Sequence, residues 1–190
     1  HVVVSYPVDF YVADGAHLVP RGRYARLLRT LCHVLGGSMS SRLWRRVREE
    51  RGLAYTVSAS LGTMSEGATI TISTGVHADK WRETGALIRE VLREACDGKD
   101  PIRADEVRRS LGTMVGSQTM ALPSSRTHAM NVVDHFVHDA EYETVEADTS
   151  ALRALREDPE LTARHVNAVA RYVLQPACSY VTVIVPDKKQ

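Results

Sequence analysis

Apolar residues recur at two different periods along this chain, and the order of the periods outlines a fold. Val2, Val4 and Tyr6 alternate with Val3, Ser5 and Pro7, the period of two expected of a strand with one face on a core. From Tyr24 the apolar positions shift to Leu27, Leu28, Leu31, Cys32 and Leu35, which follow one face of a helix. Gly36 and Gly37 are read as the stop of that helix, glycine being the residue that readily takes the left-handed conformation at helix ends. Ser40 or Ser41 is placed to cap a second, strongly basic helix running towards Arg51.

The period then returns to two. Tyr55, Val57, Ala59 and Leu61 alternate with Thr56, Ser58, Ser60 and Gly62, and after Ser65-Glu66-Gly67 the apolar set is Ala68, Ile70, Ile72 and Val76. Two such runs joined by a short glycine-containing turn predict an antiparallel hairpin, apolar on one face. Helical stripes follow to cover it: Leu87, Ile88, Val91, Leu92 and Cys96; then Val107, Leu111, Met114 and Val115; then Met130, Val133, Phe136 and Val137, with Pro101 and Pro123 between them. Thr162 is read as the cap of a last helix carrying Val166, Val169, Ala170 and Val173, and alternation over residues 178–185 predicts a closing strand. Strand, helices, hairpin, helices, strand is not the steady β-α alternation of a parallel sheet. It predicts an α+β fold, an antiparallel or mixed sheet with helices packed on one face, in a single domain over residues 1–190.

Composition narrows the function classes. The 24 basic and 23 acidic residues nearly cancel, to a net charge of +1, which argues against binding nucleic acid through bulk charge. The longest apolar runs are too short to span a bilayer, so no membrane partner is expected. Cys32, Cys96 and Cys178 are few, odd in number and widely spaced, and each falls on an apolar side of its segment. They are read as buried free thiols, which leans towards a reducing, cytoplasmic setting. The chain opens on His1, so it is expected to be a processed product or a fragment.

Candidate chemistry is sparse. Neither H-E-x-x-H nor H-x-x-E-H occurs; His128, His135 and His138 share a broad helical sector but are read as polar positions beside an apolar stripe, and no metal ligand is assigned. No G-x-S-x-G elbow occurs, and Gly36-Gly37-Ser38 lacks the Gly-Lys-Ser/Thr ending of a phosphate loop. One pair stands apart. Arg48 ends the basic helix and Tyr55 begins the hairpin seven residues later, a spacing that lets guanidinium and phenol share a cleft as donors to a peptide carbonyl or oxyanion. An Arg on a solvated helix beside a Tyr at a sheet edge accounts for the same residues.

The run Leu35-Gly36-Gly37-Ser38-Met39-Ser40-Ser41-Arg42-Leu43-Trp44, continuing through Val47-Arg48-Glu49-Glu50-Arg51-Gly52-Leu53-Ala54-Tyr55, resembles the pitrilysin/insulinase type of zinc peptidase, in the branch of the mitochondrial processing peptidase and its bacterial relatives. The resemblance implies a half-domain of the processing-peptidase type: the second, zinc-free half of a paired peptidase. Its implied partners are a peptide or protein substrate and a half bearing His-x-x-Glu-His, in the same chain or another, which holds the zinc. It further implies that Arg48 and Tyr55 face that zinc and support the transition state, with Gly36, Gly37 and Ser38 as a candidate substrate-binding segment. A chain of this kind is not expected to act alone. The alternative within the resemblance is a structural or substrate-recognising subunit without catalysis. Ser38 where the family often has a third glycine, and Arg164-His165 where an acidic pair is usual, depart from the pattern.

Overall fold

The computed structural model describes residues 1–9, 13–14, 17–18, 21–64, 67–137 and 143–184. Strand β1 (Val2–Asp9) is followed by a two-residue pair, β2 (Ala13–Asp14) and β3 (His17–Leu18), and by helix α1 (Arg21–Gly36). A π-helical turn (Trp44–Glu49) leads into the hairpin β4 (Ala54–Thr63) and β5 (Gly67–Val76). Helices α2 (Trp81–Asp97), α3 (Ala104–Ala121), α4 (Ser125–Val137), α5 (Val145–Glu157) and α6 (Pro159–Val173) precede β6 (Tyr180–Val183). The main sheet has the order β4-β5-β1-β6, and every neighbouring pair is antiparallel.

Alternation decides which face of the sheet is inside. Val2, Val4, Tyr6 and Val8 of β1 and Ala68, Ile70 and Ile72 of β5 are buried, while Ser58, Ser60 and Pro7 point outward into solvent. Helix α1 packs on β4, α2 and α6 pack on β1, and α3 lies across α1 and α6 with α5 behind it. The result is the α+β layer arrangement that the sequence pattern predicts, with an antiparallel sheet.

Two ionic clusters, one part-buried and one buried, tie the helical layer together. Arg26 and Arg29 of α1 both donate to Asp148 of α5, at 2.6 and 2.9 Å, and Gln118 of α3 donates to the same carboxylate at 2.6 Å. Glu143 closes the cluster on Arg26. The second centres on Arg42, which is 3% exposed. Its guanidinium holds both oxygens of Glu106, at 2.8 and 2.7 Å, and the carbonyls of Asp100 and Pro101, at 2.6 and 2.8 Å.

Several local expectations need correction. Helix α6 starts at Pro159, capped by Asp158, whose carboxylate accepts from the Leu161 N–H at 2.9 Å; Thr162 lies inside the first turn and donates to the Leu155 carbonyl at 2.7 Å. Asp followed by Pro at the first helical position is the stronger start, since proline's fixed φ is already helical. Helix α5 was not foreseen, because its buried side is only Val145, Thr149 and Leu152, too thin a stripe to register as periodic. Cys178 sits in a single turn (Pro176–Cys178) before β6 and is exposed, so the buried-thiol reading holds for Cys32 and Cys96 alone.

Candidate functional site

The site grows from the segment between α1 and β4. Gly36 ends α1 for a reason other than left-handed geometry: the described positive-φ glycines are Gly52 and Gly98. A Cβ on Gly36 would lie 2.5 Å from the Ala59 nitrogen, so glycine is what lets the helix end press on the backbone of β4. A Cβ on Gly37 would meet His33 at 2.6 Å. Ser38 then begins a tight turn, its carbonyl accepting from the Ser41 N–H at 3.1 Å and its hydroxyl 3.1 Å from that of Ser40. Ser41 starts the basic segment with its carbonyl, which accepts from Arg45 N–H at 3.1 Å; its buried hydroxyl makes no hydrogen bond, so the expected side-chain cap is absent.

The basic helix itself is wound wide. The Glu50 N–H donates to Arg45 O, five residues back, at 2.9 Å, and Leu53 N–H reaches Val47 O at 2.9 Å. Such a π-turn is rare and recurs at functional sites. Arg42 pins its start through Glu106, Leu43 and Val47 bury their side chains beneath it, and Gly52 at φ 58° reverses the chain into β4.

A bulge decides where Tyr55 goes. Ala54 pairs with Val76 and Thr56 with the adjacent Gly75, leaving Tyr55 as the extra residue. Strict alternation would have put Tyr55 on the inward face with Val57; the bulge instead turns it out, 78% exposed. Its carbonyl, released from the ladder, accepts from Arg48 Nη1 at 3.0 Å. The Arg48 guanidinium lies over two rings, 4.7 Å from the Tyr55 centroid and 4.3 Å from that of Trp44. Arg48 and Tyr55 are therefore one unit. Neighbouring Arg45 and Arg46 are turned towards acids, Arg45 to Glu50 and Arg46 to Glu50, Glu90 and Glu94.

Of the other candidates, Gly36 is buried against Ala59, Gly37 is exposed and Ser38 is partly exposed. Ala59 lies four residues along β4 from Tyr55, about 13 Å at strand rise. The sequence reading overlooked Trp44, although its position one helical turn before Arg48 is the spacing at which side chains meet. It also overlooked the Arg42–Glu106 pair, which joins residues distant in sequence and has no local signature.

The region 15–114 matches the family model described as the peptidase M16 inactive domain. The chain belongs to that family. An uncharacterised zinc protease of Mycobacterium bovis is 26% identical over 165 residues, covering 86% of this chain and 36% of that protein. One of Bacillus subtilis is 37% identical over 100 residues, covering 53% and 24%. The chain thus spans about a third or less of the curated relatives it matches. A solved M16 inactive domain from Pseudomonas fluorescens superposes with TM-score 0.68 at 20% identity, covering 95% of this chain and 39% of that one. An inactive peptidase domain from Bordetella parapertussis gives 0.74 at 11% identity, covering 100% and 92%. At these identities the likeness is one of fold.

M16 relatives named as zinc proteases raise the question of a metal in this M16 inactive domain. Among the described residues no three His, Cys, Asp or Glu side chains are grouped to hold one. His128 is engaged instead with the Leu122 carbonyl, 2.8 Å from its Nε2. The side chain of His135 and the whole of His138 lie outside the described residues. The donor set described here does not fit zinc. No described helix is long and apolar enough to cross a membrane.

Proposed function

We propose that this M16 inactive domain is the zinc-free half of a peptidase, closing over a peptide held by a companion half that bears His-x-x-Glu-His. The observation that carries the reading is Tyr55: a phenol thrown outward by a bulge, exposed, and fixed from behind by Arg48. Zinc in the companion half would polarise the scissile carbonyl and activate water. The residues of this chain supply what zinc does not. Tyr55 donates its O–H to the carbonyl oxygen as it gains negative charge. Arg48, with one N–H on the Tyr55 carbonyl and its Cζ over the ring, orients the phenol. The guanidinium's positive charge also favours the developing oxyanion. Gly36, Gly37 and Ser38, at the end of α1 where it presses on the edge strand β4, border the peptide's path.

The test is Tyr55→Phe in the protein assembled with its zinc-bearing half. Losing one transition-state donor of this kind costs a factor of about 100 or more in kcat. KM should change little, and folding should be intact because the phenol is exposed. An unchanged kcat removes Tyr55 from catalysis and favours a structural or recognition subunit.

A further inference from the structure

Arg48 is a long, flexible side chain at the surface, and holding it still carries a large entropic cost. Its bond to the Tyr55 carbonyl fixes one end of the guanidinium without fixing its plane. Two rings are in reach of that plane, Trp44 and Tyr55. Trp44 is half-buried and packs on the main core, which Tyr55 does not. Arg48 Cζ lies over both rings, 4.3 Å from the Trp44 centroid and 4.7 Å from that of Tyr55, so one guanidinium touches indole and phenol together. Tyr55 itself is 78% exposed, so little of the protein body holds its ring.

We propose that Trp44 is a positioning residue for Tyr55, acting through Arg48. This rests on the reading of Tyr55 as a donor to substrate, and it assigns the aim of the phenol to a residue on the preceding π-turn. A flat π-face attracts a guanidinium and limits its tilt, and an aliphatic side chain of similar bulk does neither. The bulge makes the arrangement necessary: it frees the Tyr55 carbonyl from the sheet, so the ladder no longer determines where the phenol points. Arg48 recaptures that carbonyl, and Trp44 determines the orientation in which it does so.

Two variants separate positioning from packing. Trp44→Leu keeps an apolar side chain in the core and loses the flat face; Trp44→Phe keeps the flat face. Side-chain NMR of the chain reads the stack without any peptidase assay. In Trp44→Leu, rotation of the Arg48 guanidinium about Nε–Cζ becomes fast and the Tyr55 ring loses order. In Trp44→Phe both stay near wild type. In the assembly with the zinc-bearing half, Trp44→Leu lowers kcat about fivefold with KM unchanged, a loss of the size a surface cation–π contact supports. Trp44→Phe restores it, and Trp44→Leu adds nothing to Arg48→Gln. Wild-type Arg48 rotation and Tyr55 order in Trp44→Leu would overturn the proposal, as would equal losses in the Leu and Phe variants. Should Tyr55→Phe leave hydrolysis intact, the catalytic reading falls, while the spectra still decide whether Trp44 orders the stack.

Discussion

Arg42 lies under the candidate site, and its removal is the most informative perturbation of the fold. The side chain is 3% exposed and makes four hydrogen bonds of 2.6 to 2.8 Å, two of them to the Glu106 carboxylate. Arg42→Met keeps much of the volume and deletes the charge, leaving a buried carboxylate and two carbonyls without their partner. Stranding one member of a buried pair costs about 3–5 kcal/mol. For a chain of this length that lowers Tm by about 6–20 °C. Urea denaturation followed by tryptophan fluorescence measures it, and a shifted midpoint at constant slope marks a true stability loss. The pH dependence identifies the cause. Burial pushes the Glu106 carboxyl up, but hydrogen bonds from Arg42 and from the Arg103 N–H outweigh it and hold the pKa below its usual value. A depressed folded pKa contributes stability above the ordinary carboxylate range, which is lost as pH falls through the folded value. In Arg42→Met, burial is opposed only by the weaker remaining partners, and the folded Glu106 takes up its proton earlier. The deficit against wild type is therefore largest near neutrality and narrows on acidification. Adding Glu106→Gln should recover much of it, because a Gln oxygen still accepts the Arg103 N–H now bonded at 2.9 Å. A loss under about 1 kcal/mol at pH 7, the size of an exposed pair, would refute the reasoning, as would a deficit independent of pH.

Other outcomes follow from the same structure. Gly36→Ala should destabilise by about 1–3 kcal/mol in the same assay, since the new Cβ would sit 2.5 Å from the Ala59 nitrogen. Gly52→Ala meets open space but stands at φ 58°, so its cost of roughly 1–2 kcal/mol is purely of backbone conformation. Asp148 is held below the usual carboxylate range, burial being outweighed by Arg29, Gln118 and Arg26; Asp148→Asn should cost about 2–3 kcal/mol at pH 7 and progressively less as acidification protonates the wild-type group. Thiol titration of the native protein should find Cys178 reacting fast, while Cys32, buried with its pKa pushed up to about 12, reacts only when the fold opens.

Much of this architecture is legible in the hydrophobic pattern. The strand at Val2 and the stripes of α1 and α2 bury the residues their periodicity selects, and the hairpin and α3 bury most of theirs wholly or in part, because burial on one face is what creates the period, whereas Met130, Val133 and Phe136 of α4 are exposed. Arg48 and Tyr55 are legible as a pair through the family resemblance, and the structure places them in contact. What period cannot convey is the register break. Tyr55 fits the apolar set of β4 in sequence, and only the extra residue between Ala54 and Thr56 turns it to solvent. Gly36 and Gly37 look like left-handed caps but are demanded by crowding, Gly36 against a strand some 20 residues away and Gly37 against His33 one turn back. Asp158 outcompetes Thr162 as a cap because the proline after it settles the helix start. The clusters around Asp148 and Arg42 join separate helices and loops, and a one-dimensional pattern carries no trace of them.

The strand order has a consequence for synthesis. β1, β5 and β4 are all made by Val76, yet α6, one of the two helices that cover β1, ends only at Val173, and β6, its second strand partner, follows at Tyr180. At ribosomal speed that interval lasts about 5–20 s. For that time a nascent three-stranded sheet waits with part of the Val2, Val4 and Tyr6 face open and one flank of β1 unpaired, a sticky surface until α6 and β6 emerge.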